Sequence, residues 1–207
     1  MIALPFDFLG WALLFIALPG LRWRPANVTA RGCLLLLLLV PLSFGESFSH
    51  VSLLAMLRGL FGGLSMATVS LLLALALQNV RGKSVFTGQE ARWLPLLIAV
   101  TALLFYPPAL GLGMLDPYAW GYDAAALLPL TVGALAWAAW LAGWRVSALA
   151  LVLALAAWRL RLLESTNLWD YLLDPLLAFT VLGLFFARGV RCLWRTRRAS
   201  RRAASAS

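Results

Sequence analysis

Histidine occurs once in this chain, at His50, and cysteine twice, at Cys33 and Cys192. That scarcity excludes a disulfide framework and a closed zinc site, both of which need several such ligands at suitable spacing. There is no Gly-rich phosphate loop, no His-Glu-x-x-His and no Gly-x-Ser-x-Gly. The familiar nucleotide, metalloprotease and serine-hydrolase signatures are therefore missing. No cofactor and no metal is expected.

Apolar residues are abundant instead. They make up 63% of the 207 residues, where soluble domains run nearer to about half. Blocks such as "CLLLLLLV" and "LALVLALAAW" do not alternate apolar with polar, which argues against a transmembrane barrel. A spanning helix needs ~20 mainly apolar residues. The expected fold is therefore all-α: a polytopic transmembrane helix bundle of about seven spans, with six as the alternative. The spans are read at 3–21, 28–46, 59–79, 93–115, 123–144, 146–163 and 175–194. Residues 1–194 form one transmembrane domain on this reading, and 195–207 a basic, disordered cytoplasmic tail. The amino terminus carries its arginines after the apolar run, as a first span does and a secretory signal does not.

The net charge of +9 has a topological reading. Basic residues cluster in the connections after the first, third and fifth spans and in the tail, which bears Arg188, Arg191, Arg195, Arg197, Arg198, Arg201 and Arg202. Basic loops lie on the cytoplasmic side, so the amino terminus is placed outside and the carboxyl terminus in the cytoplasm. Glu90 alone among the acids joins the basic side. This asymmetry accounts for the arginines without nucleic acid. Trp23, Trp93, Trp144 and Trp194 fall at the inner interface. Tyr118, Trp120, Tyr122, Trp169 and Tyr171 fall at the outer one, as aromatic belts do. The tail arginines are expected to lie on anionic lipid, at about 1 kcal/mol each. Richness in Arg, Ala, Leu and Trp beside a single lysine, Lys83, suggests a GC-rich bacterium and hence an inner (plasma) membrane.

The outer connections hold the candidate site. In "ESTNLWDYLLDP", a helix would set Glu164, Asn167, Asp170 and Asp174 on one face, with leucines turned to the membrane. Asp174-Pro175 and Asp116-Pro117 read as helix starts, with Asp as the cap and Pro in the first turn. Arg58, Arg159 and Arg161 lie on the side where arginine is uncommon, and ionisable groups there are functional candidates. Arg161 and Glu164 form an i, i+3 pair if helical, while Arg159 and Arg161 would diverge. Glu46 and His50 precede Arg58, in a loop or within the membrane. Candidate acid or base groups are thus Glu164, Asp170, His50 and Glu46. Candidate ligand-holding residues are Arg58, Arg159, Arg161, Asn167, Asp174 and Asp116. Pro107 and Pro108 are expected to break the fourth span and open the outer half of the bundle.

Three functions fit this pattern. The leading one is an accessory protein or subunit of an envelope-assembly system, engaging a membrane-protein partner, an anionic lipid or a lipid-linked headgroup. The second is a membrane-embedded transferase or hydrolase acting on a lipid-linked substrate. The third is a small transporter, against which stands the lack of polar residues along the inner halves of the helices. The partners expected are the lipid bilayer and those named, and not nucleic acid.

Overall fold

The computed structural model describes the backbone of residues 63–122 and 127–204, with side chains through 194 apart from 80 and 193. Glu46, His50, Arg58, Asp123 and the first two expected spans lie outside the described residues. The elements are α1 (Met66–Arg81), α2 (Gly88–Ala109), a 3-10 turn (Ala119–Gly121), α3 (Leu127–Leu141), α4 (Arg145–Arg159), α5 (Trp169–Leu172) and α6 (Pro175–Ala204). Every one is helical.

The helix ends follow from local chemistry. Ser65 caps α1 by accepting the Thr68 N–H at 3.1 Å. Gly82 closes it in the left-handed region, with φ 67°. Thr87 and Glu90 form a reciprocal capping box at the start of α2. Three helices end in the same Schellman pattern, in which a left-handed residue turns two N–H groups back onto the last carbonyls. Gly111 does this after α2, Gly143 after α3, and Arg161 after α4, with φ of 85°, 77° and 52°.

The described helices pack small residues inward. Ala99, Ala102, Ala136, Ala148, Ala150, Ala154, Ala157 and Ala178 are buried, while Leu103, Leu104, Leu130, Trp137, Phe179 and Phe186 are exposed. Small interface residues let helix backbones approach closely, and outward-facing large apolar side chains suit a hydrocarbon solvent. α4 is central: it packs on α3 and on α1, while α6 packs on α2. The molecule has an aromatic end, formed by 110–122 and 160–174, and a basic end, formed by 82–87 and 142–144.

Among the described residues, two helical stretches, Gly88–Ala109 and Pro175–Cys192, are long and apolar enough to cross a membrane. α1 and α4 have 16 and 15 residues, roughly 22–24 Å at 1.5 Å per residue, and fall short of the expected lengths. α2 starts five residues before the expected 93. Pro107 and Pro108 sit in its last turn, so they end the helix rather than bend it at mid-span. α6 runs on through residues 195–204, where a disordered tail was expected. Ala and Arg favour that continuation, and no Gly or Pro interrupts it.

Candidate functional site

The aromatic end is built around the chain reversal after α4. Because Arg161 takes the left-handed turn position, the chain leaves the helix at Leu160 and folds back. Arg159 and Arg161 therefore line one recess of about 180 Å³, together with Tyr122, Trp158 and Thr166. The expected divergence of the two arginines is corrected: it assumed helical geometry that stops at Arg159. The same break removes the helical i, i+3 relation between Arg161 and Glu164, which lies exposed in a bend.

The segment 164–174 is not one amphipathic helix, because only Trp169–Leu172 is helical. Its leucines do not all face outward: Leu168 is fully buried against Ala67, Val132, Ala154 and Ala157. The polar residues anchor the segment to the 116–122 loop. Asn167 is fully buried; its Nδ2 donates to the Tyr118 carbonyl at 2.9 Å and its Oδ1 accepts the Trp169 N–H at 2.9 Å. Leu168 N–H donates to the Gly121 carbonyl at 3.0 Å. Trp169 Nε1 donates to the Pro117 carbonyl at 2.8 Å, and its ring packs 4.4 Å from that of Phe105 in α2. Trp158 Nε1 donates to the Thr166 carbonyl at 2.8 Å, which fixes the floor of the recess. Buried polar groups need such partners, and here they bind two connections into one platform.

The carboxylates divide by role. Asp116 Oδ1 accepts the Tyr118 and Ala119 N–H groups at 3.0 and 3.2 Å, an Asx turn that starts the 3-10 turn. Asp170 accepts the Tyr118 hydroxyl at 3.0 Å. Asp174 is 3% exposed and caps α6 through the Leu177 N–H at 2.8 Å. Its other oxygen accepts the Ser65 N–H at 3.0 Å and the Thr68 hydroxyl. One carboxylate thus stands at the amino termini of both α6 and α1. None of these carboxylates lines the recess. Among the described residues, no group of three or more His, Cys, Asp or Glu could hold a metal ion.

Sequence reasoning counted Glu90 only as a charge. Glu90 is fully buried. Beyond its capping box it accepts the Ser147 N–H at 2.7 Å and the Ser147 hydroxyl at 2.8 Å, at the start of α4. It does for α2 and α4 at the basic end what Asp174 does for α1 and α6 at the aromatic end. The signature Thr87-Gly-Gln-Glu90 was visible; its second helix was not.

Two phenols of the platform resist ionisation. Burial raises the pKa of Tyr118, and the Tyr122 phenol and Asp170 carboxylate raise it further. Burial also raises that of Tyr171, whose hydroxyl accepts the Leu163 N–H and donates to the Ser165 carbonyl at 2.9 Å. Comparison of this chain with protein-family models, with curated proteins and with solved structures finds no match.

Proposed function

We propose that this chain is a multi-pass protein of a bacterial inner membrane, amino terminus outside and carboxyl terminus cytoplasmic, acting as an accessory subunit in envelope assembly. Its Arg159–Arg161 recess would hold the anionic headgroup of a lipid or lipid-linked molecule at the outer leaflet. The observation that carries this reading is Arg161 itself. It occupies a left-handed turn position filled by glycine at the two equivalent helix ends, at a cost of about 1 kcal/mol. Backbone strain of this kind clusters at ligand sites. Here it brings a second guanidinium to the recess. Paired arginines suit phosphate, which accepts planar, bidentate hydrogen bonds. Tyr122 and Trp158 supply an aromatic wall at the level where headgroups lie. Among the described residues, no carboxylate lines the recess.

The test is lipid retention by protein reconstituted in nanodiscs of mixed phosphatidylglycerol and phosphatidylcholine. Arg161→Gly should relieve the turn, raising the unfolding midpoint, while weakening retention of the acidic lipid about ten-fold, as loss of one charge-assisted contact predicts. Retention unchanged in Arg159→Ala and in Arg161→Gly alike would refute the assignment.

A further inference from the structure

The arginines of α6 are ordered by the helix that carries them. At about 100° per residue, Arg188, Arg191, Arg195, Arg198 and Arg202 recur at spacings of three and four within one stripe of about 80°, while Arg201 and Arg197 lie farther round, Arg197 opposite Arg188. The opposite half carries Gly189, Cys192, Thr196, Ala199 and Ala203, and residues 175–207 contain no Asp or Glu. The arginine half is continuous with the outward side of α6. Phe179, Thr180, Gly183 and Leu184 share its direction and are exposed, whereas Ala178 and Val181 on the opposite half are buried; from Phe186 onward the opposite half is exposed as well, at Phe186, Gly189 and Cys192, and Leu177 on the arginine half packs on the core. α6 has 30 residues, about 45 Å at 1.5 Å per residue, against ~30 Å of hydrocarbon. Its last turns therefore extend past the acyl region on the basic side.

We propose that the carboxyl-terminal third of α6 is a headgroup-binding helix, its arginine half holding anionic phospholipid on the same side where the preceding turns face acyl chains. A tilt toward that half, and helices tilt by about 20° on average, keeps the arginines in the headgroup layer. Net positive charge fixes topology whatever its register; segregation onto one half, in line with the exposed side of the span, is what a planar anionic surface selects. The inference rests on α6 spanning the membrane and is independent of the Arg159–Arg161 recess.

The experiment uses the full chain carrying Arg159→Ala and Arg161→Ala, which silences the recess, in nanodiscs of mixed phosphatidylglycerol and phosphatidylcholine. Native mass spectrometry counts the lipids retained, and the acidic lipid is expected to be enriched. Exchanging Arg195 with Thr196 and Arg198 with Ser200 keeps the charge but moves two arginines to the other half. It should lower the preference at least ten-fold, since each basic residue near an anionic surface is worth about a factor of five. Ala199→Pro, which breaks the helix with all charges kept, should lower it as well. An undiminished preference in both variants overturns the proposal, because the arginines then act as charge without a face. No preference in the parent overturns it in favour of a protein or nucleic-acid occupant.

Discussion

At the scale of single residues, two buried carboxylates organise the described bundle. Glu90 and Asp174 each meet the amino termini of two helices, where unsatisfied N–H groups and the helix dipole favour negative charge. Neither role can be shared by a neutral side chain of another shape. Glu90→Ala should destabilise the protein by about 3 kcal/mol, because hydrogen bonds to a buried charged group are worth ~1.5–3 kcal/mol. Glu90→Gln, which keeps one acceptor, should lose less. Thermal unfolding in mild detergent measures both, and an unshifted midpoint in Glu90→Ala would contradict the two-helix cap. Gly121 is the steric counterpart. A Cβ there would lie 1.7 Å from Asn167 Oδ1, so Gly121→Ala must part the two connections, at about 1–3 kcal/mol. A recess that still retains acidic lipid normally in Gly121→Ala would show that this clasp does not shape it.

At the scale of elements, the connections rather than the helices carry the chemistry. Segments 116–122 and 160–174 are short of regular structure, yet they hold their polar groups as tightly as a helix does. Their phenols make them sensitive to alkali. In the unfolded chain tyrosine ionises near pH 10, whereas Tyr118 and Tyr171 are held neutral above that in the folded state, first by burial. A raised folded value means that the stabilisation is complete below pH 10 and is lost as pH rises through the folded values. Tryptophan fluorescence of the platform should therefore change in the alkaline range and not between pH 5 and 9. Tyr118→Phe and Tyr171→Phe should flatten the alkaline limb. A transition at the same pH and amplitude in both variants would place its origin elsewhere.

At the scale of the whole molecule, helix length sets the match to the solvent. α1 and α4 reach only about 22–24 Å, less than the ~30 Å of a typical hydrocarbon core, while α2 and α6 are long enough to cross it. On the proposed multi-pass reading, a bundle of mixed lengths thins the bilayer beside its short members, at a fraction of a kcal/mol per Å. The unfolding midpoint should be higher in nanodiscs of short-chain lipid than of long-chain lipid. Equal midpoints would mean that the short helices do not meet lipid along their whole length.

The sequence by itself determined the helical class, the approximate places of five long helices, with ends displaced by up to ten residues, and the Asp174-Pro175 helix start. Those properties depend on composition and on groups three or four residues apart, which a reader of the chain can see. The tertiary structure decided that Arg159 and Arg161 meet, because a single left-handed residue ended the helix earlier than periodicity implied. It decided too that Asn167 is buried and bonded to the Tyr118 carbonyl of the 116–122 loop. It also gave Glu90 and Asp174 their second helices, 57 and 109 residues away along the chain at Ser147 and Ser65. A carboxylate shows in sequence which N–H groups lie beside it; which helix end arrives from across the bundle is settled only when the alanine seams close.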